Sequence, residues 1–170
     1  PSSDDVGSAL ADGRLIRTHV LRPTWHYVRN EDLGWLLDLT GPRVRAITER
    51  QLEVTFQLSG RRLSRIASTL ADLLRERPNR TRVEVMAGLR ERGVELDAAA
   101  LASVLAHLEL DRQICSGRPR ESDHTYALFA DRIPTSRALD RDEALRELAL
   151  RYLAGHGPTT ERDLSYWATL

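Results

Sequence analysis

The chain has 170 residues, 41% of them hydrophobic, enough for one ordinary domain or two small ones sharing a core, and no run approaches the roughly 20 apolar residues that a bilayer span requires. Its 25 basic residues balance 25 acidic ones, so there is no global electrostatic case for nucleic acid. The single cysteine, Cys115, excludes an intramolecular disulfide framework and a multi-cysteine metal site, and the absence of a basic-then-apolar opening makes a cytoplasmic location the expectation.

Asp4 or Asp5 is expected to cap a short helix that ends at Gly13. Arg14–His19 and Thr24–Val28 are rich in β-branched and aromatic residues and are broken by Arg22-Pro23, the pattern of a hairpin. Asn30 then caps a helix with Glu31 and Asp32 in its first turn, where the helix dipole favours acids. Leu33, Leu36 and Leu37 form its apolar stripe, and Gly41-Pro42 is expected to end it.

The middle of the chain is the most regular. Leu63, Ile66, Ala67, Leu70, Leu73 and Leu74 recur at helical spacing, which predicts an amphipathic helix over 61–77. Thr81 and Glu84 have capping-box spacing for a second helix, which Gly93 closes. Asp97 caps a third, whose apolar face is Leu101, Val104, Leu105 and Leu108. Two strand-like runs follow, Gln113–Ser116 and His124–Phe129, joined by the polar loop 117–123. Charge is segregated here: 43–92 carries twelve arginines against six acids, whereas 93–131 carries three against seven. A basic region of this kind suits DNA, and solvated amphipathic helices show the same pattern. Because the chain has no lysine, every cationic site is a guanidinium able to hold phosphate or guanine with two hydrogen bonds.

Helix, helix, helix and hairpin in this order is a winged helix. Beyond Pro134 an amphipathic helix is predicted from about Asp142 to Ala154, broken by His156-Gly157-Pro158. A last helix carrying Leu164 and Trp167 is opened by a Thr160/Asp163 capping box. The fold class is therefore mainly α with short β-hairpins (α+β), in a tandem winged-helix architecture. Residues 1–42 are expected to be the end of one winged helix, 43–134 a complete central one, and 135–170 the start of a third. Leu164 and Trp167, with no closed third unit around them, are expected to pack on the central unit or on a neighbouring chain, or to stay partly exposed. The open ends make self-association a further expectation.

Four segments in series are similar to a known family: RTHVLRPTWHYV (17–28) with EDLGWLL (31–37), ICSG (114–117), HTYAL (124–128), and YLAGHGPTT (152–160) with Asp163, Leu164 and Trp167. Together they resemble the AlkZ-like winged-helix DNA glycosylases. The resemblance implies several winged helices in a row forming a concave DNA-binding body. It also implies removal of alkylated bases by a motif of glutamine, one residue, then glutamine or an acid, upstream of the hairpin near Arg14. Gln51, Gln57 and Gln113 are not so spaced, so the catalytic residues are not assigned within this sequence. Residues 1–170 alone are not expected to release N7-methylguanine. The other class open to the sequence is a non-enzymatic transcriptional regulator or interaction module.

Within the chain, Arg22, Thr24 and His26 of the first hairpin are candidates for nucleic-acid contact. Arg22 suits a phosphate, and Thr24 and His26 share one strand face by their two-residue spacing. The alternative is that Trp25 and Tyr27 are core and that Thr24 and His26 satisfy local hydrogen bonds. Arg118 and Arg120 are the second pair of candidates. Pro119 between them restricts the turn, and both side chains are expected to point outward from the wing tip, with Glu121 and Asp123 as the competing local partners. The third helix has no arginine, asparagine or glutamine over Asp97–Val104 to read base edges, which speaks against helix-in-groove readout. The five histidines show no metal-ligand spacing, so no metal and no cofactor is expected. Cys115 reads as a small buried hydrophobe. The implied partner is duplex DNA, with no membrane.

Overall fold

The computed structural model of the protein describes residues 2–121, 123–133, 135–168 and 170. Ser122 of the wing loop and Pro134 at the expected unit boundary lie outside the described residues, as do the side chains of Asp4 and Pro23. Helix α1 (Ser3–Asp12) is capped by Ser2 rather than by an aspartate. The Ser2 hydroxyl accepts from the Asp5 N–H, while the Asp5 carboxylate accepts from the Ser2 N–H at 2.8 Å. Gly13, at φ 78°, ends the helix in the left-handed region that glycine tolerates.

Strands β1 (Leu15–Val20) and β2 (Arg22–Arg29) form an antiparallel hairpin that turns at Leu21. The two strands differ in environment. β1 is the inner strand, mostly buried, and its Arg17 N–H donates to the Ser116 hydroxyl at 2.9 Å. β2 is the outer strand. Trp25 and Tyr27 are 49% and 55% exposed, so they are surface aromatics and not core.

Asn30 opens a 3-10 turn, Asn30–Asp32, instead of the α-helix itself, its side-chain carbonyl accepting from the Glu31 N–H at 2.8 Å. Helix α2 then runs without a break from Leu33 to Phe56, with Pro42 inside it. This differs from the stop expected at Gly41-Pro42. A proline forfeits the hydrogen bond to the carbonyl four residues back and crowds that carbonyl with its ring, here the carbonyl of Asp38. Asp38 and Pro42 both lie on the solvent side, where water can replace the bond, while Leu37, Leu39 and Val44 keep the inner face packed.

α2 is the spine between two apolar clusters. Its first half, from Leu33 to Val44, joins Ile16 and Val20 of β1 and the later helices in one cluster; Leu52 joins the other. The second cluster is built from α3 (Gly60–Glu76), α4 (Arg82–Glu91) and α5 (Ala98–Leu110), closed by a small sheet of order β3-β5-β4 from Arg80–Thr81, Thr125–Leu128 and Ile114–Ser116. The Thr81/Glu84 capping box and the Asp97 cap both form as the spacing predicts. The two-residue β3 is too short to leave a periodic signal in the sequence.

α3 and α4 approach closely at Gly88. A Cβ there would lie 2.6 Å from Leu73 Cδ2 and 3.2 Å from Cδ1. Gly88→Ala is therefore expected to lower stability by about 1 to 3 kcal/mol, the usual range for overpacking a core. A urea midpoint equal to or above that of the wild type would contradict this contact.

After the short α6 (Phe129–Arg132), α7 (Arg141–His156) and α8 (Glu161–Ala168) form a helix pair. Asp140 and Thr160 open them with capping boxes. Leu164 and Trp167 are half-buried against the first cluster, which holds the hairpin and the first half of α2, so of the expected outcomes partial exposure is the one seen. Among the described residues, no helix is long and apolar enough to cross a membrane.

Candidate nucleic-acid interface

The helix that a winged helix would offer to a major groove exposes little here beyond its capping residue and two alanines, Asp97, Ala98 and Ala99. α5 is buried from Ser103 to Leu110, packed between α2, β1 and the small sheet. The hairpin seals it: the backbone N–H of His19 donates to Glu109 Oε2 at 3.1 Å, and His19 Nδ1 lies 2.6 Å from the same oxygen. An alanine-rich helix without readout side chains fits this position, since small residues permit close packing on several sides.

The wing arginines are occupied, although both remain exposed. Arg120 donates to Glu84, the capping-box acid of α4, which also takes Arg77 at 2.5 Å. The Arg120 hydrogen bond first, then the Thr81 N–H, pull the Glu84 carboxyl down to about 2. Arg118 turns toward α1, its Nε donating to the Ala11 carbonyl at 3.3 Å while its backbone N–H donates to Asn79 Oδ1 at 2.7 Å. The wing tip thus folds its two arginines onto the protein instead of presenting them outward.

Five of the twelve arginines of 43–92, Arg77 among them, are in ion pairs among the described residues. Arg45 pairs with Asp111, Arg75 with Asp72, and Arg80 and Arg92 with Glu76. Cys115 is fully buried and its thiol is pushed up to about 12 by that burial, so it is a core residue and not a nucleophile. Among the described residues, no group of three or more His, Cys, Asp or Glu is placed to hold a metal ion.

Arg22 has a different setting. It opens onto a cleft of about 930 Å³ that Arg43 of α2 and Arg162 and Tyr166 of α8 also line, with Glu161 as the one acid. Among the described residues none of these three arginines makes an ion pair, and Arg22 Nε is buried with no hydrogen-bond partner. Tyr166 is 84% exposed. Three unpaired guanidiniums around one cleft form a concentrated positive patch on a neutral protein, suited to an oxyanion.

Thr24 and Trp25 follow on β2, both exposed, on opposite faces of the strand. Trp25 is held by Arg17, only 3% exposed, whose guanidinium carbon lies 3.9 Å from the indole ring centroid. The ring also has His19 and His124 alongside it, at 5.6 and 6.4 Å between centroids, and stays half-exposed. His26 points to another use. Its Nδ1 lies 3.0 Å from the Thr24 carbonyl, and burial first of all pushes its pKa below the ordinary value, so it is an uncharged ring at neutral pH and not a phosphate cation.

His26 lines a second, smaller pocket of about 280 Å³ together with Asp32, Trp35, Tyr152, His156 and Trp167. At its floor Asp32, 1% exposed, accepts from Trp35 Nε1 at 2.9 Å, Arg151 Nη1 at 2.7 Å and Arg137 Nη1 at 3.2 Å. The sequence presents Asp32 as an ordinary first-turn acid. Its arginine partners come from 105 and 119 residues away, a separation that no local pattern reveals. Arg43, Arg162 and Tyr166 escape the sequence for the same reason.

The comparisons agree with this architecture. The family described as "DNA glycosylase AlkZ-like" matches residues 1–170. No curated protein sequence matches the chain. Among solved structures it is similar to Streptomyces sahachiroi DNA glycosylase AlkZ, with a TM-score of 0.64 and 22% identity, over 98% of this chain and 50% of that one. The chain thus spans half the length of that protein. With the whole of its sequence matched, the chain belongs to the AlkZ-like DNA glycosylase family.

Proposed function

We propose that this chain binds and positions duplex DNA for base excision, through the face made by β2 and α8. The observation that carries the reading is the convergence of Arg22, Arg43 and Arg162 on one cleft without acidic partners among the described residues other than the flanking Glu161. Phosphate oxygens would sit in that cleft, and Tyr166, which lines it, would lie against the sugar-base edge. Arg118 and Arg120 would contribute only after leaving Ala11 and Glu84, so they rank below Arg22. The burial of α5 supports backbone and shape recognition over major-groove readout.

In the same reading, residues 1–42, 43–134 and 135–170 are parts of successive winged helices that share α2 as a rigid connector, and the chain works in the cytoplasm. Excision of alkylated bases is the activity assigned to the whole protein, with the residues described here holding the substrate.

The test is fluorescence anisotropy of a labelled random-sequence duplex titrated with protein from about 0.05 to 0.2 M salt. Each phosphate contact contributes roughly 0.9 to the slope of log affinity against log salt, so three arginine contacts give a slope of about −2.7 or steeper. Binding that is undetectable, or that does not change with salt, would overturn the proposal.

A further inference from the structure

One face of α2 changes character along its length. At about 100° per residue, Leu36, Leu39, Arg43, Ile47, Arg50 and Val54 fall within a stripe about 80° wide. Leu36 and Leu39 are buried in the first apolar cluster. From Arg43 onward the same stripe is open: Arg43 and Arg50 are exposed, and Ile47 and Val54 are 47% and 70% exposed. The helix therefore leaves the core at Arg43, the residue that also lines the arginine cleft. The stripe begins where the cleft ends.

The acids of this half-helix lie off the stripe. Glu49 lies 3.7 Å from Arg45, and Arg45 also pairs with Asp111. Glu53 falls about 40° outside the stripe's edge. Among the described residues neither Arg43 nor Arg50 makes an ion pair, so the stripe is a row of cations interleaved with apolar side chains. The opposite sign collects between α4 and α5. There Glu95 and Asp97 share a groove with Arg90, and Glu91 is exposed. A phosphate backbone is attracted by the first surface and repelled by the second.

We propose that a duplex held in the arginine cleft continues along this stripe of α2, with Arg50 as a fourth phosphate contact and Ile47 and Val54 against the sugars. This path rests on the DNA-binding reading above and gives it a direction. Arg43 and Arg50 are seven residues apart, a rise of about 10.5 Å. At 3.4 Å per nucleotide step along one strand, that separation lengthens the footprint by about three base pairs. Guanidiniums this far apart meet different phosphates and do not compete for one.

The test adds four variants to the anisotropy assay on the labelled random-sequence duplex. Arg50→Ala is expected to weaken binding about fivefold at low salt and to flatten the salt slope by about 0.9. Arg50→Lys keeps the charge and is expected to keep the slope, which a purely structural role for Arg50 would not require. Ile47→Glu sets an acid between two phosphate contacts and is expected to weaken binding at least about tenfold. Arg90→Ala, at the acidic groove, is expected to bind as the wild type does. All three positions are exposed, so the fold is expected to survive, which thermal unfolding checks.

Wild-type affinity and slope in Arg50→Ala, or an equal loss in Arg90→Ala, would overturn the path along α2. Loss of binding on replacing Arg22, Arg43 and Arg162, with Arg50→Ala unaffected, would leave the cleft standing and remove only its extension. A wild-type chain that fails to bind duplex would remove both.

Discussion

Asp32→Asn is expected to cost about 2 to 3 kcal/mol of stability at pH 7, because the substitution removes one partner of a buried ion-pair cluster. Asp32 is 1% exposed and binds three donors from α2, α7 and the segment before α7. Breaking such a cluster ordinarily costs more, but the Arg137 and Arg151 side chains are 43% and 41% exposed. Solvent screening therefore reduces the loss.

The effect is linked to pH. Burial by itself raises the Asp32 pKa, but the hydrogen bonds from Arg151 and Trp35 and the charges of Arg151 and Arg137 outweigh it and hold the carboxyl below its ordinary value of 3.8. Folding therefore favours the ionised form. The contribution is complete above the unfolded-state value and is lost as pH falls through the folded-state one. Urea unfolding of both proteins should show the full difference at pH 7 and a shrinking difference below about pH 4. Equal midpoints at pH 7 would mean that α7 docks on α2 without this cluster.

The second large effect belongs to the arginine cleft. Replacing Arg22, Arg43 and Arg162 together by alanine is expected to weaken binding to random duplex by about 100-fold at low salt, on the order of 1 kcal/mol per surface phosphate contact. It should also flatten the salt slope by up to about 2.7. All three positions are at least partly exposed, so the fold is expected to survive, which thermal unfolding checks. The parallel variant Arg118→Ala with Arg120→Ala is expected to change affinity less than about threefold, because those guanidiniums already serve Ala11 and Glu84. A larger loss in the wing variant than in the cleft variant would place the DNA on the wing and not in the cleft.

Local signals make the three-helix cluster α3–α5 legible. α3 announces itself by Ile66, Leu70 and Leu73 at helical spacing, α4 by the Thr81/Glu84 box and α5 by its Asp97 cap, and each needs only a few residues of sequence. α2 outruns its expected end at Gly41-Pro42 because propensity weighs the proline and not the packing of Leu37, Leu39 and Val44 around it. The aromatic residues of β2 could be placed in the core or outside it because a hairpin pattern does not say which strand is outer. Burial of β1 against α5 and β4 decides that, and leaves Trp25 and Tyr27 outside.

The candidate site is legible only in part. Arg22 can be singled out, yet its companions Arg43 and Arg162 sit on helices that reach β2 only through the first apolar cluster. His26 can be singled out by the strand face it shares with Thr24, but its place in the lining of the smaller pocket is not legible from that spacing. Arg118 and Arg120 look outward in the sequence because Glu84, the acid that captures Arg120, is 36 residues away from it along the chain.

The most direct measurement is a map of backbone amide shifts when a short duplex is added to the isotopically labelled chain. The largest changes are expected on Arg22–Tyr27 of β2, around Arg43 of α2 and on Glu161–Tyr166 of α8, while Ser103–Leu110 of the buried α5 stays unchanged. Changes centred on α5 and the wing, with β2 and α8 unmoved, would contradict binding through the arginine cleft.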